Sequence, residues 1–206
     1  ICIRDSALVQ RKVAGTLRDS VFSQYCWAAH ALGLGGLYQP KLNPLELVRK
    51  GTGQRVLFRG TDDPFKIKSV KAPFGYFGVT HFEEWDQFSG PEEIRAVLQS
   101  TMRGGERFWN FETFNPPAGA AHWANREAAV AREDRLVHRS DYRTVPRAWL
   151  GAPFFEEAEQ LRRVNERAWR HEYLGQAVGL GDEVFQNLRL EELSDDQAAG
   201  FDRICM

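Results

Sequence analysis

Apolar and polar positions switch along the chain between strand-like and helix-like spacing. Ala7-Leu8-Val9, followed by Gln10-Arg11-Lys12-Val13, reads as a short strand. Val21, Tyr25, Ala28, Ala29 and Leu32 then recur at helical spacing. They predict a helix over 17–32, with Thr16 as N-cap, Asp19 at the third helical position and Gly33-Leu34-Gly35-Gly36 as its end. Leu45-Glu46-Leu47-Val48 and Arg55-Val56-Leu57-Phe58 flank Lys50-Gly51-Thr52-Gly53, a hairpin signal. Tyr76 to Phe82 is a mainly apolar run with the length of a buried strand, and Glu83-Glu84 closes it. Pro91 opens a helix beside Glu92 and Glu93, with Ile94, Val97, Leu98 and Met102 as its apolar stripe and Gly104-Gly105 as its stop.

Phe108 to Phe114 is the next strand, ended by Asn115-Pro116-Pro117. A helix is predicted from His122 to Ala131 and a strand from Leu136 to His138. From Pro153, the positions Phe154, Ala158, Leu161, Ala168 and Trp169 predict a long helical region with a break near Asn165 and a C-cap at Gly175. Strands alternating with helices indicate an α/β unit with a mainly parallel sheet, the hairpin being an antiparallel insertion.

Composition narrows the class. The 206 residues are 43% hydrophobic and 27% charged, which suits a globular chain and excludes a disordered one. The net charge of −1 excludes a uniformly basic nucleic-acid coat but leaves room for a local basic patch. Cys2, Cys26 and Cys205 form no short-spaced set, so neither a disulfide framework nor a cysteine-rich zinc site is expected. With no signal peptide and no apolar run of about 18 residues, a cytosolic setting without a membrane span is the expectation. The chain starts at Ile1 without an initiator Met, and both ends read as cut, so an internal piece of a longer protein is expected.

Ligands bind at the carboxyl ends of strands in open α/β sheets, and Glu83-Glu84 ends the most apolar strand. A nucleoside triphosphatase needs one acid for Mg²⁺ and one to orient the attacking water. The alternative is an acidic pair that merely opens the following loop. Thr113 and Asn115, at a neighbouring strand tip, are placed to bond a phosphate or a water, or simply to terminate the strand. Lys66, Lys68 and Lys71 are half of the lysines and form either a phosphate-binding set or a solvated loop. Arginines over 126–147 and 162–170 either meet a nucleic-acid backbone or pair with Glu156, Glu157, Glu159 and Glu166. No Gly-Lys dipeptide occurs, so the chain carries no Walker A loop. His171-Glu172 lacks the zincin spacing, and His30, His81, His122, His138 and His171 read as core or surface histidines. Cys26 reads as a packed apolar position.

The order of segments resembles one family. Arg11-Lys12-Val13 with Thr16 to Val21, Thr52 to Gly60, Asp62 to Ser69, Phe82 to Phe88 and Leu98 to Gly105 carry the likeness. So do Asn115-Pro116-Pro117, Leu136-Val137-His138, Val145 to Gly151 and His171 to Gly175. Together they resemble the ATPase part of a tailed-phage terminase large subunit of the PBSX type. The resemblance implies a RecA-like P-loop NTPase core that uses ATP and Mg²⁺ to drive double-stranded DNA into a procapsid. It implies a homo-oligomeric ring in the host cytoplasm, with the portal protein and small terminase subunit as partners. Under it, Glu83 is the Walker B acid that holds Mg²⁺ and Glu84 the carboxylate that positions water. Thr113 and Asn115 fall on the coupling motif, and Lys68 falls near a basic finger that enters a neighbour's ATP site. Arg18 and Arg103 lie in matching stretches without an assigned role.

Departures accompany the match. The Walker A segment that should precede Ala7 is lacking, and the nuclease acids expected beyond Met206 are absent. The first acid is Glu83 rather than the more usual Asp. Residues 1–175 therefore read as a truncated ATPase domain and 176–206 as a linker toward an absent nuclease domain. Without phosphate-cradling amides, the fragment alone is not expected to hydrolyse ATP efficiently. The alternative reading is a non-catalytic assembly module, in which the Arg-rich helices from Pro153 to Leu174 dock the portal, the small subunit or a neighbour.

Overall fold

A computed structural model describes residues 5–61, 71, 72, 74–179 and 194. Six strands form one mixed sheet: β1 (Asp5–Arg11), β2 (Tyr38–Leu42), β3 (Leu45–Arg49), β4 (Arg55–Gly60), β5 (Tyr76–Glu83) and β6 (Trp109–Thr113), in the order β2-β3-β4-β1-β5-β6. The pairs β4–β1, β1–β5 and β5–β6 are parallel, whereas β2–β3 and β3–β4 are antiparallel. The α/β reading and the antiparallel hairpin both stand. Arg49 N–H donates to the Gln54 carbonyl at 2.8 Å to close that hairpin, and Gly51 and Gly53 take the positive φ values of its turn.

Consecutive side chains of an interior parallel strand face opposite layers, so both must be apolar. Leu8 and Val9 of β1 are each fully buried, and they belong to different core clusters. On one face, Val9, Leu47 and Phe58 pack with Leu17, Val21 and Phe22, and Tyr25 of α1 (Ser23–Ala31) joins them. On the other, Phe82, Trp85 and Phe88 pack with Ile94 and Val97 of α2 (Pro91–Thr101) and Ala124 of α3 (Trp123–Ala129). Beyond them come α4 (Arg147–Leu150), α5 (Ala152–Val164) and α6 (Glu166–Glu172). The predicted break falls at Asn165, whose side-chain oxygen accepts the Ala168 N–H at 3.0 Å and so caps α6.

Several local expectations change. Thr16 is not an N-cap: its hydroxyl donates to the Val13 carbonyl at 3.0 Å within a 3-10 turn, and an irregular turn at Arg18–Phe22 precedes α1. Gly60 lets that 3-10 turn approach β4, since a Cβ there would come within 2.4–2.7 Å of Ala14. β2 arises from a polar stretch, Tyr38-Gln39-Pro40-Lys41-Leu42, that has no strand period of its own. It is an edge strand, where Pro40 is tolerated because one side needs no ladder partner. Leu136-Val137-His138 is not a strand: Leu136 is 93% exposed and the segment runs over the surface. On α2, Thr101 turns inward in place of Met102. Its hydroxyl is satisfied by donating to the Val97 carbonyl at 3.2 Å.

Phe58 makes edge-to-face contacts with Phe22 at 5.1 Å and Tyr25 at 5.4 Å, tying α1 to the sheet. Phe58→Ala is expected to lower the unfolding free energy by about 3–5 kcal/mol, read from urea midpoints at unchanged m-value.

Candidate functional site

Because β4, β1, β5 and β6 run the same way, their last residues gather along one edge. Arg11 is in register with Gly60, and Glu83 with Thr113. This carboxyl edge is where an open α/β sheet presents ligand-binding groups. Glu83 ends β5. Glu84 then takes φ 52°, alone among the described non-glycine residues. A left-handed conformation costs an L-residue roughly 1–2 kcal/mol. Burial of the next residue offsets it: Trp85 is 2% exposed and packs at 4.7 Å from Trp123 and 5.2 Å from Phe114. The turn keeps the Glu84 carboxylate beside that of Glu83 instead of letting the strand alternation separate them.

Both carboxylates converge on one cation. Arg11 Nε donates to Glu84 Oε2 at 2.8 Å, and its Nη2 pairs with the same carboxylate. Arg11 Nε also lies 3.1 Å from Glu83 Oε2. That contact lacks hydrogen-bond geometry, so among the described residues Glu83 Oε2 is a buried carboxylate oxygen that is ion-paired but accepts no hydrogen bond. Burial pushes the Glu83 carboxyl above its ordinary range, Arg11 opposes this, and the charges of Glu84 and Asp86 reinforce it. The Arg11 guanidinium is held further above its ordinary value, first by its bond to Glu84. Next to it, Lys12 Nζ donates to Glu93 at 2.7 and 2.9 Å and to Ser89 at 3.2 Å, fastening the end of β1 to the loop that enters α2.

Thr113 lies across from Glu83 in the β5–β6 ladder, and its hydroxyl is 2.8 Å from His81 Nε2. The other ring nitrogen, Nδ1, is 2.9 Å from the Tyr25 hydroxyl. Burial depresses the His81 pKa to about 4 and raises the Tyr25 pKa to about 12, so both are neutral near pH 7. Asn115 lies exposed two residues past β6.

The structure thus brings together Glu83, Glu84 and Thr113, and leaves Asn115 at the rim. Lys68 lies outside the described residues, as does Lys66. Sequence reasoning passed over Arg11 as a site residue and read His81 as an ordinary histidine. The period-2 rule held the signal for His81, because it shares a face with Glu83 two residues on. Most arginines of the helical part are engaged in surface pairs, including Arg162 with Glu159 and Arg170 with Glu166.

A cation has one anchor here, the Glu83 oxygen that is ion-paired to Arg11 but accepts no hydrogen bond among the described residues. Among the described residues no three His, Cys, Asp or Glu side chains form a metal cluster. The adjacent Glu83 and Glu84 carboxylates suit Mg²⁺ chemically, since that ion takes one or two carboxylates and completes its shell with phosphate oxygens and water. A separate concavity of about 730 Å³ lies at the opposite, amino-terminal end of the strands, bordered by Asp5, Arg55, Tyr76 and Trp109.

This geometry defines the carboxyl-edge site of an α/β fold with a mixed six-stranded sheet. Two solved structures share the fold. The large terminase of a thermophilic bacteriophage matches at a TM-score of 0.55 and 18% identity, over 85% of this chain and 41% of that one. The HK97 bacteriophage large terminase matches at 0.52 and 13%, over 85% and 40%. In sequence, the terminase large subunit of Bacillus phage SPP1 is 37% identical over 205 residues, 96% of this chain and 48% of the relative. The PBSX phage terminase large subunit of Bacillus subtilis (strain 168) is 42% identical over 65 residues, 32% of this chain and 15% of the relative. The family model for the phage terminase large subunit matches residues 3–176. The chain belongs to the phage terminase large subunit family, and it spans about half the length of the SPP1 relative.

Removing Arg11 leaves two adjacent part-buried carboxylates without their cation. Arg11→Met is expected to destabilise the protein by about 2 kcal/mol at pH 7, between exposed and fully buried values. Adding Glu83→Gln should restore part of that stability. Since the Glu83 pKa is raised, protonation on acidification relieves the repulsion, so the deficit of Arg11→Met should shrink as the pH falls toward 4. Melting curves of the single and double variants at both pH values check this.

Proposed function

We propose that this chain is the ATPase part of a DNA-packaging terminase large subunit. One observation carries the reading: Glu83 and Glu84 sit side by side at the carboxyl edge of the parallel strands, both paired to Arg11, with a Glu83 oxygen that accepts no hydrogen bond among the described residues and Thr113 in register. Glu83 would hold Mg²⁺, whose charge offsets that of the phosphates. Glu84 accepts a hydrogen bond from the attacking water and aligns it with the γ-phosphorus. Thr113 and Asn115, at the tip of the adjacent strand, contact the phosphate end and link its state to β6. Residues 1–175 form the ATPase unit, a boundary supported by the family match over 3–176, and 176–206 lead toward a nuclease domain.

In this reading the complete subunit works as a ring in the host cytoplasm on double-stranded DNA, with the portal protein and small terminase subunit as partners. No described helix is long and apolar enough to cross a membrane. Lys68 reaches the site of a neighbouring subunit.

In a complete large subunit containing these residues, Glu84→Gln should lower ATP turnover by about a hundredfold or more while nucleotide binding persists. Retained turnover in a folded variant rejects the role given to Glu84 and favours a docking role for the chain. Lys68→Ala should reduce turnover in the assembled ring and leave the isolated subunit much less affected. Equal loss in both states rejects action across the subunit boundary.

A further inference from the structure

We propose that His81 is a positioning residue: tied to Tyr25, it turns the Thr113 hydroxyl so that the hydroxyl proton points outward into the carboxyl-edge site. The inference rests on the reading above that Thr113 belongs to a nucleotide site.

The chain of contacts runs from α1 through β5 to β6. Tyr25 Oη lies 2.9 Å from His81 Nδ1, and His81 Nε2 lies 2.8 Å from Thr113 Oγ1. A neutral imidazole donates through one nitrogen and accepts through the other, so two wirings satisfy the distances. In the first, Tyr25 donates to Nδ1, and Nε2–H donates to Thr113. In the second, Nδ1–H donates to Tyr25, and Thr113 donates to Nε2.

The second wiring strands the Tyr25 proton. Among the described residues the Tyr25 hydroxyl has no further hydrogen-bond partner, and its ring is packed against Phe58 at 5.4 Å. Tyr25 is half-buried, and a largely desolvated donor without an acceptor is more costly than an oxygen with a lone pair to spare. The first wiring leaves only a spare lone pair on Tyr25. It also leaves the proton of Thr113, an exposed residue, free to point away from His81.

The choice has a chemical consequence at the strand tip. A phosphate oxygen is an acceptor and needs a donor. In the first wiring Thr113 offers one. In the second it would turn a lone pair toward an anion. Tyr25 thereby sets, through His81, whether Thr113 attracts or repels a phosphate. Helix α1 gains a direct polar connection to the site.

Asn and Gln separate the two ends of the ring. An Asn amide reproduces the Nδ1 position and a Gln amide the Nε2 position. His81→Gln can still donate to Thr113, whereas His81→Asn keeps only the Tyr25 end. In a complete large subunit containing these residues, steady-state ATP hydrolysis is measured for His81→Asn, His81→Gln, Thr113→Val and the Asn/Val double variant, alongside melting temperatures. His81→Asn and Thr113→Val are each expected to lower kcat about tenfold with little change in KM, and the double variant to be no worse than either. His81→Gln is expected to recover most of the Asn loss at a similar melting temperature. If Thr113→Val lowers kcat but Asn and Gln behave alike, or losses follow melting temperature, or the double variant is additive, the positioning role is overturned and Thr113 keeps its place in the site. If a folded Thr113→Val has full turnover, the assignment of Thr113 to the nucleotide site fails, and this inference with it.

Discussion

The Arg11 guanidinium is what allows two carboxylates to occupy adjacent positions at the mouth of the sheet. Two like charges about 4 Å apart repel by about 4 kcal/mol at an effective dielectric near 20. That is a sizeable fraction of the net stability of a small domain. One cation shared between both acids offsets the repulsion, and the sheet topology supplies it. The parallel pairing of β1 with β5 sets Gln10 against Phe82, so the next residue of each strand, Arg11 and Glu83, must emerge side by side. A parallel register is therefore an electrostatic device here as well as a scaffold. Lys12, through Glu93 and Ser89, ties the same strand end to the loop leading into α2.

Strand β5 divides its labour by alternation. Phe82 points to the α2 side and is fully buried among Trp85, Phe88 and Ile94. His81 and Glu83 point to the α1 side, where Tyr25 and Thr113 meet the imidazole. Apolar burial on one face fixes the strand, and polar wiring on the other uses that fixity. Ordinary geometry could not keep Glu84 next to Glu83, because the following residue of a strand turns to the other face. The left-handed backbone at Glu84 resolves this, and the buried indole of Trp85 holds the strained turn in place.

Much of this architecture was legible from residue pattern. The strands holding Leu8-Val9, Phe58 and Phe82 announce themselves by continuous apolar runs, and the Gly51–Gly53 hairpin by its turn residues. The break at Asn165 was visible as a lapse in helical spacing. The rest depends on tertiary context. β2 exists because the open edge of β3 offers backbone partners, not because Tyr38 to Leu42 prefers a strand. Leu136-Val137-His138 has the composition of a strand but no neighbour to pair with. Glu83, Glu84 and Thr113 could be singled out as strand-tip polar residues. Arg11 could not, since its role arises only from which strand lies beside which. His81 looked inert for the same reason: its two partners lie 56 and 32 residues away in the chain.

The site residues share a further property that explains how mobile polar groups are held to a fixed geometry. Each is a direct chain neighbour of a side chain that lies in the core or packs against it. Arg11 follows the fully buried Gln10 and Val9, and Glu83 follows Phe82. Glu84 precedes Trp85, and Thr113 precedes Phe114, whose ring stacks obliquely on that same tryptophan at 5.2 Å. A displacement of any site residue by a fraction of an ångström would therefore have to disturb close-packed aromatic contacts on the α2 side, where interiors yield little. Trp85 and Phe114 touch, so the backbones behind Glu84 and Thr113 are not independent: moving the tip of β6 strains the turn that bears Glu84. Packing of Phe114 on Trp85 joins the tips of β6 and β5 on one face, and the hydrogen bond of His81 to Thr113 joins the same two strands from the opposite face. The carboxyl edge is thus clamped from both sides of the sheet. A displacement of either strand tip therefore involves both β5 and β6 rather than one side chain.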